Sequence, residues 1–430
     1  MPKLPLSKSI ALRTLILNEV SRLLGNGCAC IPELPDAEDI EGLQRGLEAF
    51  RRMTEGASGS HCVHIGEGGA PLRFFTALAA STPGVDITVS AGKSLRRRPL
   101  ALLLDALRGA GADIRCLRRE GYPPLRIIGT TPDPGPISIN PGVSSQFVSA
   151  LMMVAPLWAD GLRLGFEGSP AVSAPYLHMT GEVMRAFGGT MRMANDGITV
   201  EGGKCHAPAR FEIESDWSAA SYLYEIALLL PGREIHIDRL TPPQDSLQGD
   251  ARCAGIFHIA GVDTEWHPDG SATLRCDASV RDSAASSQAP LELDMGGTPD
   301  LVPALAVGFC LAGIRFRLTG VSHLRYKESD RLQSLACELE KIGFMADAGT
   351  DTLSWTGRRC PTGENETIDT WRDHRIAMAF APAAIRLPYV AVDDTRVTAK
   401  SWPAYWETLE GLGFRLRRFG HGASITFSKK

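Results

Sequence analysis

The sequence predicts an α/β protein built from repeated units in two similar domains, and three observations lead to that class. The chain has 430 residues, more than the ~250–300 at which a single hydrophobic core stops growing. A helix that ends in glycine and runs into a short alternating strand recurs as LLLDALRGAGADIRCL, GEVMRAFGGTMRMA, CAGIFHIAGVDTEW, ACELEKIGFMADAG and WETLEGLGFRLRRF. An Ala-rich, nearly all-apolar helix leading to a strand recurs as RFFTALAASTPGVDITVS, QFVSALMMVAPLWADGLRLGF, SAASYLYEIALLLPGREIHI, PALAVGFCLAGIRFRLTG and RIAMAFAPAAIRLPYVAV. Both kinds fall on both halves of the chain, as repeated α/β units would.

In the first kind the glycine takes a left-handed backbone that stops the helix, and the residues after it alternate as a half-buried strand does. Leu332, Leu335, Leu339 and Ile342 show the helical part, recurring at three- and four-residue steps before Gly343. Glu328 and Arg331 continue the line of that stripe, which aims both charges inward at the start of a helix. In the second kind the helix is apolar on most sides and must be buried on most sides. The stretch RDSAASSQAPLELD is the most loop-like and reads as a surface excursion.

Composition excludes several classes. The chain is 44% hydrophobic and 22% charged, with a formal net charge of −4. That is a globular balance, too near neutral for a general nucleic-acid binder. No apolar run is long enough to span a bilayer, so no membrane partner is expected. The N-terminal MPKLPLSKSIALRTLIL has its apolar run broken by Arg13, with no small-residue cleavage site, so no signal peptide is expected. The ten cysteines are scattered and Cys28 and Cys30 form the one close pair. Free thiols in a reducing cytoplasm are the expectation, and no zinc spacing appears. GxxxxGK[ST], HExxH and the serine elbow are absent, and GEGGAP is not GxGxxG. No metal and no cofactor are expected.

Polar residues gather at the starts of the apolar helices. Arg73 follows GEGGAPL; Ser144, Ser145 and Gln146 precede FVSALMM; Asp216 and Ser218 sit in SDWSAASYL; Asp300 is in GTPDLVPAL; and Asp373, His374 and Arg375 precede IAMAF. Each Ser or Asp taken alone reads as an N-cap. Arg73, Arg331 and Arg375 do not, because the helix dipole disfavours a cation there. Lys8, Ser9 and Arg13 lie near a further helix start, Lys93, Arg96, Arg97 and Arg98 form a basic run, and Lys400 precedes WPAYWETL. Many cations with few acids (Asp300, Glu328, Asp39) point to a substrate carrying phosphates and carboxylates.

These motifs, taken in order, resemble a known family. LSKSIALR, GEGGAPLR, GYPPLR, SSQF, VSAPYLHMT, SLQGD, GTPDLVPALAV, KESDR, DHR and TAK match the 5-enolpyruvylshikimate-3-phosphate synthase branch of the enolpyruvyl transferases, over essentially the whole chain. The resemblance implies two inside-out α/β barrel domains, each of three repeated βαβαββ units, with the active site in the interdomain cleft. Residues 7–215 would form the inserted second domain, and residues 1–6 with 216–430 the discontinuous first. The expected partners are shikimate 3-phosphate and phosphoenolpyruvate, and the expected form is a cytoplasmic monomer.

The resemblance also implies residue roles. Lys8, Ser9, Arg13, Ser144, Ser145, Gln146, Ser173, Tyr176, Asp300, His323 and Lys327 would bind shikimate 3-phosphate. Lys8, Gly69, Arg98, Gln146, Arg331, Arg375 and Lys400 would bind phosphoenolpyruvate. Asp300 would serve the 5-hydroxyl and Glu328 the enol methylene in proton transfer, with Lys8 as partner in the first step. The sequence departs from the family pattern at Leu6, Leu12, Glu67, Ala70 and His323. Glu67 and Ala70 motivate an alternative, a paralogue that binds anions without turnover. The enolpyruvyl transferases that act on a UDP-sugar are a second alternative, but they use a loop cysteine and the loop here reads SAGKSLRRRP.

Overall fold

A computed structural model describes residues 2–56, 61–93, 95, 98–133, 135–139, 145–167, 174–362 and 366–428. The chain divides into two compact units, one of residues 6–213 and one of residues 1–5 with 214–430.

In the unit of residues 6–213 the helices are α1 (Lys8–Leu23), α2 (Glu38–Thr54), α3 (Gly69–Ala80), α4 (Ala101–Gly109), α5 (Ser145–Val154) and α6 (Ala174–Ala186). Its strands are β1 (His61–His64), β2 (Asp86–Ser90), β3 (Asp113–Cys116), β4 (Leu125–Ile128), β5 (Ile137–Ile139), β6 (Leu162–Phe166), β7 (Met191–Ala194) and β8 (Gly197–Val200). They form two four-stranded sheets, ordered β1-β2-β4-β3 and β5-β6-β8-β7. Among its described strands the β1–β2 and β5–β6 pairs are parallel, joined by the buried helices α3 and α5, and the rest are antiparallel. In register, Val63 faces Val89 and Ile87 faces Ile127, so the buried face alternates as the sequence does.

The other unit contains helices α7 (Trp217–Leu229), α8 (Cys253–Ile259), α9 (Ala278–Ser286), α10 (Val302–Ala312), α11 (Arg331–Lys341), α12 (His374–Phe380) and α13 (Tyr405–Gly411). Its strands are β9 (Ile235–Ile237), β10 (Val262–Trp266), β11 (Ala272–Cys276), β12 (Leu291–Asp294), β13 (Phe316–Thr319), β14 (Asp347–Ala348), β15 (Thr352–Trp355), β16 (Thr367–Ile368), β17 (Val390–Val392), β18 (Phe414–Phe419) and β19 (Gly422–Phe427). Two sheets repeat the earlier order, β12-β13-β15-β14 and β16-β17-β19-β18, and a three-stranded sheet runs β10-β11-β9. Each four-stranded sheet thus follows β-α-β-α-β-β along the chain. The core lies around α7, α10 and α12. Every residue of α7 and α12 is buried, as their lack of a polar face requires.

All five glycine stops occur as expected: Gly111, Gly188, Gly261, Gly343 and Gly413 have φ between +68° and +97°. RDSAASSQAPLELD is a correction. It holds the last six residues of helix α9, whose Asp277 cap accepts from the Ser279 and Val280 N–H groups, and a strand, β12. Propensity and a cap suffice for a helix there without an apolar stripe. None of α9 is buried, so its surface position agrees. Among the described residues no helix is long and apolar enough to cross a membrane, and the ten cysteines are unpaired.

Candidate active site

Three helix starts in the unit of residues 1–5 and 214–430 bring charge to one place. Asp330 caps α11 by accepting from the Gln333 N–H, which leaves Arg331 as the first helical residue. Its guanidinium is 2% exposed and meets three carboxylates: Nε to Asp373 Oδ2 at 2.7 Å, Nη1 to Asp300 Oδ1 at 2.9 Å, and Nη2 to Glu328 Oε2 at 2.8 Å. Asp373 caps α12 by accepting from the Arg375 N–H at 3.0 Å. Asp300 lies in the 3-10 turn Pro299–Leu301 that opens α10, and its Oδ2 takes Arg375 Nη2 at 2.8 Å. Glu328 Oε1 accepts from Lys400 Nζ at 3.0 Å.

Each acid that was expected to move protons therefore sits between two cations. Burial pushes the Asp300 carboxyl up, but Arg375, Lys327 and Arg331 outweigh it and hold the group well below the usual carboxylate range. Burial lowers Arg331 and Lys327. Asp373, Glu328 and Asp300 overcome that for Arg331 and raise it, whereas Lys327 ends below its ordinary value, with Arg331 adding to the fall. His323, in the 3-10 turn Ser322–Tyr326, is pushed down to about 4 by burial and then by Lys327. It is neutral at pH 7, and its Nε2 is buried without a hydrogen-bond partner among the described residues. Behind the cluster, Ser218 of α7 donates to Asp250. Asp250 is pushed up to about 7, first by burial and then by the charge of Asp300.

The unit of residues 6–213 holds its cations differently. Lys8, the first residue of α1, pairs with Asp39 of α2 at 2.8 Å. Arg13, one turn further on, is buried; its Nη1 donates to Ser9 O at 2.7 Å, its Nε to Thr180 Oγ1 at 2.7 Å, and its Nη2 to Tyr176 O at 3.3 Å. Burial pushes Arg13 down to about 10, still protonated at pH 7. Arg73 Nη1 donates to Gln146 Oε1 at 2.7 Å, and its guanidinium lies over the Phe147 ring. A Cβ on Gly69 would lie 2.4 Å from that Nη1, so a larger residue there displaces Arg73. Ser145 and Gln146 begin α5, and Arg98 is half-buried after Leu95. Ser144 and Ser173, with Arg96 and Arg97, lie outside the described residues. Glu67 turns onto the loop that carries Lys93 and Arg98: a Cβ on Gly92 would lie 2.0 Å from Glu67 Oε1.

Residues 3–409 match the sequence profile of EPSP synthase (3-phosphoshikimate 1-carboxyvinyltransferase). The chain belongs to that family. The 3-phosphoshikimate 1-carboxyvinyltransferase of Bacteroides fragilis is 37% identical over 417 residues, 96% of this chain and 95% of that one. That of Methanoculleus marisnigri is 32% identical over 425 residues, covering 95% and 96%. Among solved structures, the EPSP synthase of Acinetobacter baumannii superposes with a TM-score of 0.68 at 20% identity, over 99% of this chain and 97% of that one. The enolpyruvyl transferase NikO of Streptomyces tendae gives 0.65 at 14% identity, covering 98% and 95%. At those identities the two structures speak for the fold alone.

Within this EPSP synthase family member, two points of the sequence reading change. Glu328 precedes α11 instead of riding on its stripe, since Asp330 provides the cap. Asp373 is more than the helix cap the sequence offers, since it also pairs with the buried Arg331 at the centre of the cluster. Arg73, an anomalous cation at a helix start, lies beside Gly69 and bonds Gln146.

Proposed function

We propose that the chain transfers the enolpyruvyl group of phosphoenolpyruvate to the 5-hydroxyl of shikimate 3-phosphate, releasing phosphate, as a step of aromatic amino acid biosynthesis. The observation that carries the mechanism is the position of Asp300 and Glu328, each held between two cations around one buried arginine.

The reaction is an addition followed by an elimination. The 5-hydroxyl loses a proton as the enol methylene gains one, giving a tetrahedral intermediate. Phosphate then leaves and the new methyl loses a proton. Glu328 serves the methylene, and Asp300 the hydroxyl with help from Lys8. Arg331, Arg375 and Lys400, with Arg98, Gln146 and Lys8, take the carboxylate and phosphate of phosphoenolpyruvate beside the Gly69 turn. Ser9, Arg13, Gln146 and Tyr176 take the shikimate ring and carboxylate; Ser144, Ser145, Ser173, His323 and Lys327 take its phosphate. An anionic substrate that engages Arg375 and Lys327 removes the groups that depress Asp300. The carboxylate then becomes a better base as the site fills. Cations left around the departing phosphate stabilise its charge.

This reading joins the two units as the two inside-out barrel domains of three βαβαββ repeats, residues 7–215 and residues 1–6 with 216–430. It has both contribute to one cleft in a cytoplasmic monomer. The test is phosphate release by the purified protein with both substrates together and with each alone. Release that requires both supports the reading; none above background in a folded sample rejects it.

A further inference from the structure

α11 meets the segment ahead of α12 at Arg331 and again around Glu338 and Lys341, whose Nζ donates to Thr367 O at 3.0 Å, and this second contact plays no part in the chemistry above. Glu338 lies two turns beyond Arg331 on the same face of α11 and is fully buried. Its Oε1 accepts from Trp371 Nε1 at 2.9 Å, and its Oε2 from the Asp369 N–H at 3.0 Å and from Lys341 Nζ at 2.7 Å. The bonds to Asp369 and Trp371, with Asp369 Oδ1 accepting from the Trp371 N–H at 2.7 Å and Asp393 Oδ1 from the Thr370 N–H at 2.9 Å, hold a turn that its residues would not choose. The Asp373 N–H closes onto Thr370 O at 2.8 Å, and the two residues between, Trp371 and Arg372, have φ of +53° and +57°. Two left-handed residues in sequence are the mark of the mirror-image type I turn, which Asn–Gly normally supplies. Both residues here carry a Cβ that clashes in that region.

The turn delivers the next residue to the cluster. Asp373 bonds Arg331 at 2.7 Å and the Arg375 N–H at 3.0 Å. A turn that relaxed to negative φ would swing Asp373 off Arg331 and release the first turn of α12. We propose that Glu338 is a positioning residue: it locks the Trp371–Arg372 turn in its left-handed form and so fixes Asp373, Arg331 and Arg375 in the geometry that binds phosphoenolpyruvate. This rests on the enolpyruvyl-transfer reading for its link to substrate, but the turn itself can be read without turnover. A buried acid that served packing alone would cost stability when removed, without preference between the substrates.

The experiment compares wild type, Glu338→Ala and the triple variant Glu338→Ala, Trp371→Gly, Arg372→Gly. Glycine accepts the left-handed backbone with no external hold. Glu338→Ala is expected to raise the KM for phosphoenolpyruvate about tenfold or more and to lower kcat, leaving the KM for shikimate 3-phosphate within about twofold. The paired glycines are expected to return about threefold or more of the lost kcat/KM for phosphoenolpyruvate. Amide exchange over residues 369–376 is expected to quicken in Glu338→Ala and slow again in the triple variant. A folded Glu338→Ala with unchanged kinetics, an equal loss for both substrates, or no recovery by the glycines overturns the proposal. If wild type releases no phosphate, the enolpyruvyl reading alone fails, and the exchange pattern still decides the turn. Should Glu338→Ala not fold, Trp371→Phe deletes one bond to Glu338 and is read in the same way.

Discussion

Two buried arginines, one in each unit, are held in opposite ways. Arg331 in one unit is saturated by three carboxylates. Arg13 in the other, equally buried, takes neutral oxygens of Ser9, Thr180, Ser149 and Tyr176. Neutral acceptors hold an arginine in place without cancelling its charge, so Arg13 can still attract an anion. Carboxylates cancel the charge, and Asp300 is in turn held well below its usual range by Arg375, Lys327 and Arg331, so its proton affinity depends on what else binds those cations. Arg13 therefore suits an anionic substrate, and the acids around Arg331 suit proton transfer.

The largest effect expected from that contrast is on turnover. Glu328→Gln keeps the shape and one acceptor but cannot give up a proton, so kcat should fall about 10²- to 10⁴-fold. Binding of shikimate 3-phosphate, measured by calorimetry, should change little. Full activity in Glu328→Gln would place the acid elsewhere.

Next comes stability. Arg331→Met removes the one cation shared by Asp300, Glu328 and Asp373, leaving Asp300 to Arg375 and Glu328 to Lys400, and should cost about 3–5 kcal/mol in denaturant unfolding. Arg13→Gln removes hydrogen bonds to neutral groups and should cost only about 1–3 kcal/mol, while weakening shikimate 3-phosphate about tenfold or more. Equal costs for the two arginines would erase the contrast.

The smallest effect is on pH dependence. Asp250 holds its proton in the native state up to about 7, whereas an unfolded Asp titrates near 3.9. The native state thus binds the extra proton between those values. The contribution is complete below the unfolded value and is lost as pH rises through about 7. Between pH about 5 and about 8, wild type should lose more thermal stability than Asp250→Asn. Parallel curves would show that Asp250 is ionised throughout.

Much of this was legible in the sequence where a single local rule decides. Gly343 and Gly413 stop their helices because nothing but a left-handed residue fits there. The apolar faces of α7 and α10 could only be buried. The arginines at helix starts marked the site because the helix dipole made them anomalous. What could not be read depends on contacts distant along the chain. Asp373 looked like a cap because its bond to Arg331 spans 42 residues. Trp371–Arg372 lacks the Asn–Gly signal of its left-handed turn, and part of the hold on it comes from Glu338, 33 residues away. Nor could Glu67 be placed without knowing that Gly92 lies under its carboxylate.

The central claim, that acids of one unit move protons while cations hold the substrates, is tested most directly by running the reaction in D₂O. Addition puts a solvent proton on the methylene and elimination removes one of three from the methyl, so deuterium should enter the vinyl methylene of the product. Product that carries no deuterium after complete conversion would contradict the account.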